Sequence, residues 1–305
     1  MKKKLLMLIL GGIFFLLICV DLQPQAKKVA AIVSRNAEFY TKPFEGFRES
    51  CSHQVIPFIL TSNESENSRI LQRARNERAD LILLIGSFAA SSFNPRPSGI
   101  PIIYCMILQP ETFGLTGSNV TGVSLDIPVS KKLDYLKELS PRMRRIGLLY
   151  NPDNMREIAE EIAKDANARN MKLIPAEFRS FAEISSAVKG FTGKVDAIYL
   201  PKDSTLLEKK TFEYITLFSI QNRIVLFVPT TKFVKMGGFM AVDIDLAGIG
   251  RQAGITANRI LAGSQPSSIP LESPKEIFPY YNPKVASLIG LEISSSFKSI
   301  AKVLE

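Results

Sequence analysis

Arg145-Ile146-Gly147-Leu148-Leu149-Tyr150-Asn151-Pro152-Asp153 decides the fold. Residues 146–150 form an uncharged run that stops at an Asn-Pro-Asp turn. The run is too short for a helix and lacks apolar/polar alternation, as expected of a strand covered on both faces of a parallel sheet. Ile158 and Ile162 then fall four apart, on one face of a helix. The same alternation continues downstream. A weak strand is expected at 173–176, a strand at 197–200, a helix at 206–220 and a strand at 225–228. Ser180 and Glu183 make a capping-box signature ahead of Ile184 and Val188.

Upstream, the pattern is already present once. Strands are expected at 29–33, 55–60, 81–85 and 102–104. Pro43 suits the first turn of a helix, with Phe44, Phe47 and Cys51 on one face, and Ile70, Leu71 and Ala74 mark another helix. The chain therefore holds two α/β series of comparable size, each a purely parallel sheet flanked by helices. Its 305 residues suffice for two such units.

The chain starts differently. Lys2, Lys3 and Lys4 precede an uncharged stretch from Leu5 to Val20, the pattern of an export signal. Three fates stay open for residues 1–26: cleavage after Ala26, lipid attachment at Cys19 within Leu16-Leu17-Ile18-Cys19, or retention as an anchor. The protein is thus expected in the periplasm or on the outer face of the cytoplasmic membrane. The formal charge is +9, and cleavage after Ala26 leaves 35 basic against 28 acidic residues. Basic and acidic residues are interspersed, as in 157–169, so solvated helix faces explain the charge and no nucleic-acid partner is expected.

Composition also limits the chemistry. One His and three Cys leave little material for a metal site, and no phosphate-binding glycine loop occurs, so neither metal nor cofactor is expected. His53 follows the first helix and returns to the sheet edge opposite the strand ends, away from any cleft. Cys51 and Cys105 are expected at opposite edges and unpaired. Asp203 and Asp243 keep a hydrolase alternative open, without a spacing that supports it.

Recognition is better supplied. In open α/β sheets, ligands bind beyond the carboxyl ends of the strands. Phe39, Tyr40, Phe88 and Tyr104 fall at or after such ends and offer aromatic faces. Ser34, Asn36, Ser87, Asn151, Asp203, Ser204, Thr205 and Thr230 offer hydrogen bonds. Backbone N–H groups after Gly86 and Asp203 suit a carboxylate, and the Asp203 side chain suits an ammonium.

Several phrases in fixed order resemble the ABC-transporter substrate-binding family with the type I periplasmic-binding-protein fold. They are Ile85-Gly86-Ser87-Phe88-Ala89-Ala90, Ile100-Pro101-Ile102-Ile103-Tyr104, Asn119-Val120-Thr121-Gly122-Val123-Ser124, the 145–152 stretch and Val195-Asp196-Ala197-Ile198-Tyr199-Leu200-Pro201-Lys202-Asp203-Ser204-Thr205. Gly250-Arg251-Gln252-Ala253, Ile260-Leu261-Ala262-Gly263, Ile269-Pro270 and Asn282-Pro283-Lys284 complete the set.

The resemblance implies two Rossmann-like lobes joined by a three-segment hinge. Lobe 1 would comprise 27–122 plus 246–272, and lobe 2 would comprise 123–245 plus 273–305. It further implies a non-enzymatic monomer that captures a small polar ligand, an amino acid of aromatic type favoured, for an ABC permease with a cytoplasmic ATPase. Membrane contact would come only through the N-terminus or the permease. Transfer by position adds Asp243 to the expected contacts. The alternative is a membrane-tethered sensing module of the same fold. Ser87-Phe88, Gln109-Pro110 and Pro229-Thr230-Thr231 depart from the family pattern, so the resemblance speaks to fold more than to ligand.

Overall fold

The computed structural model describes residues 26–94 and 99–304. The stretch read as an export signal, with Cys19, lies outside the described residues. Among the described residues no helix is long and apolar enough to cross a membrane.

Two sheets organise the chain. The first contains β1 (Lys28–Val33), β2 (Gln54–Ile59), β3 (Leu81–Ile85), β4 (Ile102–Cys105) and β5 (Val120–Gly122), all parallel in the order β2-β1-β3-β4-β5. The second contains β6 (Arg145–Tyr150), β7 (Lys172–Glu177), β8 (Ala197–Tyr199), β9 (Val225–Phe227), β10 (Met240–Ile244), β11 (Ile277–Tyr281) and β12 (Lys302–Val303), in the order β12-β11-β10-β9-β8-β6-β7. Successive residues of β1 point to opposite faces: Val29, Ala31 and Val33 enter one core layer, while Ala30 and Ile32 enter the other. Helices cover both faces of each sheet, so the central strands are apolar throughout.

Three expectations need correction. The second sheet is not purely parallel, because β11 runs antiparallel to β10 after the chain re-enters from the first sheet's side. The first helix is Glu38–Ser50, starting five residues before Pro43; Pro43 therefore sits inside it and cannot donate to the carbonyl one turn earlier. The helix expected at 206–220 is Lys209–Gln221, because Asp203 folds residues 203–206 into a separate turn and Glu208 caps the helix.

Glu183 holds the Ser180 hydroxyl at 3.0 Å and accepts from Arg179 N–H at 3.0 Å, one residue earlier than a reciprocal capping box requires. Cys51 and Cys105 are both free thiols. Full burial raises the Cys105 thiol to about 12.

The helix Leu246–Leu261 follows β10 in the chain yet packs on the first sheet. Its Ile249, Ala253, Ala257, Ile260 and Leu261 share a core layer with Phe44 and Phe47 of the Glu38–Ser50 helix. The two backbones meet at glycines: a Cβ at Gly46 would overlap the Ala247 carbonyl, and one at Gly250 would overlap the Pro43 carbonyl. Hydrogen bonds finish the seam, with Ser50 Oγ donating to Arg251 O at 2.9 Å and Asn258 Nδ2 donating to Ser50 O at 2.8 Å.

The chain passes between the sheets three times, and the crossings hold one another. Val123 bridges to Glu272, Ser124 N–H donates to Glu272 O at 2.9 Å, and Asp245 N–H donates to Glu276 O at 2.9 Å. Arg251 grips both oxygens of Glu276 at 2.6 and 3.2 Å, and Gln252 reaches Glu272 at 2.8 Å. This bidentate pair holds its guanidinium proton more tightly than an ordinary arginine.

Gly250→Ala tests the seam. Alanine in a helix interior normally gains about 1 kcal/mol over glycine. Here the overlapped atoms are backbone and cannot move aside, so a net loss of about 1–3 kcal/mol is expected in urea unfolding. Ile255→Ala, on the exposed side of the same helix, should change stability by no more than about 0.5 kcal/mol. A raised urea midpoint for Gly250→Ala would refute the close contact.

Candidate ligand cleft

A cleft of about 670 Å³ lies at the carboxyl ends of β8, β9 and β10, and the first sheet's side reaches it through Phe39, in the first turn of the Glu38–Ser50 helix, and Leu108, on the loop after β4. Its wall is built from several elements. Tyr199, Phe227 and Val242 come from the strands, Met155, Ile158, Glu161 and Ile162 from one face of the Pro152–Asn167 helix, and residues 125–129 and Lys132 from the first crossing and the helix it enters.

Tyr199 and Phe227 lie in register on adjacent strands and stack at 5.2 Å with 13° between the rings. Burial, aided by Glu161, pushes the Tyr199 phenol well above its usual range, so it stays protonated. Three apolar side chains stand open on the walls: Phe39 is 49% exposed, Leu108 57% and Ile158 44%. Leu108 is presented by a loop in which Met106 and Gln109 both take left-handed backbone angles, with φ of 60° and 49°. Such angles disfavour side-chain-bearing residues and persist only where surrounding structure enforces them.

Polar groups are fewer. Asp243 accepts from Thr231 N–H at 3.1 Å, from Thr231 Oγ1 at 2.9 Å and from Ile244 N–H at 3.0 Å. Lys132 is half-buried, and its ammonium makes no hydrogen bond or ion pair among the described residues. Burial, with Lys202 adding repulsion, lowers Lys132 to about 8 against the pull of Asp126, Asp243 and Glu161. Among the described residues no three His, Cys, Asp or Glu side chains converge as a metal site.

Of the residues expected from sequence, Phe39, Thr230 and Asp243 line this cavity. Asn36 and Ser204 are exposed on nearby loops, and Thr205 is half-buried. Phe88 lies under the Arg35 guanidinium at 5.6 Å, and Ser87 begins the Ser87–Phe93 helix. Tyr104 is buried in the core on the other face of the first sheet. Asn151 caps the Pro152–Asn167 helix by accepting from Asp153 N–H.

Ser34, Tyr40 and Gly86 meet one another, since a Cβ at Gly86 would collide with the Ser34 hydroxyl and the Tyr40 ring. At φ +89° that position also favours glycine on backbone grounds.

Of the expected anion-binding amides, those of Ala89, Thr205 and Leu206 are already occupied. Ser34 Oγ accepts from Ala89 N–H at 2.9 Å, and Asp203 Oδ1 accepts from Thr205 and Leu206 N–H at 2.8 and 3.0 Å. Both side chains do the work of caps. The stacked pair, by contrast, left a sequence signal: Tyr199-Leu200-Pro201 and Phe227-Val228-Pro229 are two strand ends of one type, aromatic, aliphatic, proline.

A family model described as ABC transporter substrate binding protein matches residues 25–303. The tyrosine-binding protein of Clostridioides difficile (strain R20291) is 25% identical over 225 residues, which are 71% of this chain and 65% of that protein, slightly under two thirds of its length.

Among solved structures, the ligand-free, open form of a substrate binding protein with adhesive properties from Clostridium difficile superposes with a TM-score of 0.72 at 20% identity, covering 92% of this chain and 99% of that one. The ABC domain in complex with L-Trp from Streptococcus pneumonia gives 0.55 at 25% identity, covering 92% and 100%. The architecture is that of the type I periplasmic binding proteins, two mostly parallel sheets flanked by helices.

Ser34→Ala removes a fully buried acceptor and leaves the Ala89 N–H unpaired. A loss of about 1–3 kcal/mol in urea unfolding is expected. An unchanged midpoint would mean that this N–H finds another partner.

Proposed function

The chain belongs to the ABC transporter substrate binding protein family, and on that premise we propose that it captures an amino acid with an aromatic side chain outside the cytoplasm and delivers it to an ABC permease. The observation that carries the ligand class is the cleft itself. Phe39, Leu108 and Ile158 stand exposed around the stacked Tyr199–Phe227 pair, with isolated charges at Lys132, Glu161 and Asp243. A mostly apolar wall with a few placed polar groups suits a ligand with an apolar body and a charged end. The relatives that bind tyrosine and L-Trp support the same class.

Capture follows from where the walls are attached. Phe39 on the Glu38–Ser50 helix and Leu108 on the loop after β4 belong to the first sheet's side, whereas Ile158, Tyr199 and Phe227 belong to the second sheet's side. A flat aromatic ring between them withdraws apolar surface on both sides from water, at about 25 cal/mol per Å². Closure without ligand would bring only the side chains toward one another, with the cavity between them left empty. The ligand therefore favours the closed arrangement by the contacts that exist only there. Transport adds the requirement that capture be reversible, and no covalent chemistry is involved.

Isothermal titration with L-tryptophan, L-tyrosine, L-phenylalanine, L-glutamate and ribose tests the ligand class. At least one aromatic amino acid should bind, and Phe39→Ala should weaken it about tenfold, equivalent to about 1.4 kcal/mol. Thermal unfolding should shift upward with the same ligand, by an amount that grows with the logarithm of ligand concentration over Kd. Binding of glutamate or ribose with none of the aromatic amino acids would overturn the proposal.

A further inference from the structure

Lys132 stands in the first turn of the Val129–Leu139 helix, three residues after Val129, so both side chains share the helix face that lines the cleft. The neighbouring face, Leu133, Leu136 and Leu139, is buried in the core of the second sheet and fixes the helix's rotation. Lys132 is thereby held at the cavity wall, beside Ile127, Pro128 and Ile158.

Four charged groups face it from the elements around it: Asp126 on the first crossing, Glu161 on the Pro152–Asn167 helix, Asp243 on β10 and Lys202 on the loop after β8. None forms an ion pair with it. Asp243 is turned toward Thr231 and the Ile244 amide by three hydrogen bonds, and Asp126 meets the Ser124 hydroxyl at 3.4 Å.

A half-buried ammonium with no partner is unfavourable unless an anion completes the site. Its position in a helix's first turn adds the positive end of the helix dipole to its own charge. We propose that Lys132 binds the carboxylate of the captured ligand, a role that rests on the cleft being an amino-acid site. Glu161 and Asp243 on the same wall leave the ligand's ammonium a place beside it. The lowered proton affinity of Lys132 in the empty cleft agrees with a group waiting for an anion, since a bound carboxylate would raise it again.

Three indole probes separate the charges: L-tryptophan, tryptamine without the carboxylate, and indole-3-propionate without the ammonium. In calorimetry on the full chain, Lys132→Met should weaken L-tryptophan and indole-3-propionate about tenfold to a hundredfold, the range for a hydrogen bond to a charged group. Tryptamine should change less than about threefold, and Lys132→Arg should retain most of the affinity for all three.

The wild type supplies a second readout. Indole-3-propionate stays a carboxylate above pH 7 while Lys132 loses its proton through about 8, so affinity should fall as pH rises from 7 to 9.5. In Lys132→Met the profile should be flat. Should Lys132→Met fail to fold, the wild-type profile decides alone, and a flat one overturns the proposal. L-tryptophan binding that Lys132→Met leaves intact overturns the role of Lys132 while the aromatic amino-acid site stands. Failure of the wild type to bind any of the three probes removes the site and the role together.

Discussion

The contact between two glycine-faced helices organises this molecule. Glu38–Ser50 and Leu246–Leu261 lie more than two hundred residues apart in sequence at the seam, as the Ser50 to Arg251 hydrogen bond records. Gly46 and Gly250 let the backbones approach until carbonyls occupy the space where side chains would stand. The helix must therefore return to the first sheet after β10 has finished in the second. From that return follow the second and third crossings, which bond to one another between the two sheets. Arg251 and Gln252, one and two residues after Gly250, hold the third crossing through Glu276 and Glu272. One short helix segment thus closes a core layer and anchors the third crossing.

The cleft inherits its position from the same connectivity. Both series reverse strand order beside their first strand, β1 between β2 and β3 and β6 between β7 and β8, and such reversals open a crevice at the carboxyl ends of the strands. The crossing that enters the Val129–Leu139 helix forms one wall, and β10, on its way to Asp245, forms another. Crossings and cleft wall are built from adjoining residues, so the closure proposed above would act directly on the segments that join the two sheets.

Strand positions were legible in the sequence because burial on both faces leaves no alternation to misread: 81–85 is found as expected, and 146–150 gains only Arg145. Helix starts were less legible. Pro43 is compatible with a first turn, but Glu38 to Lys42 already wind the helix, and no local residue marks Ala37 as its cap.

The cleft was legible at its edges only. Phe39 and Thr230 follow strand ends, where ligands are expected, and Asp243, within β10, is expected only from the family resemblance, whereas Lys132 sits among Lys131 and other charged neighbours on a helix whose rotation is set by tertiary packing. Ser34 and Asp203 carry the chemistry of ligand contacts, yet Ser34 Oγ and Asp203 Oδ1 already accept from backbone amides nearby, a competition that only three-dimensional geometry resolves.

The late return of Leu246–Leu261 also sets a schedule for assembly. Until that segment has been made, Phe44 and Phe47 of the first helix lack the Ile249, Ala253 and Ala257 that cover them, and the first sheet cannot complete its core layer however long its own strands have existed. Domains usually become compact as they emerge during synthesis. Here the opening third of the chain has to wait for a helix that ends at residue 261. That core layer of the first sheet therefore becomes complete only when the last fifth of the chain arrives.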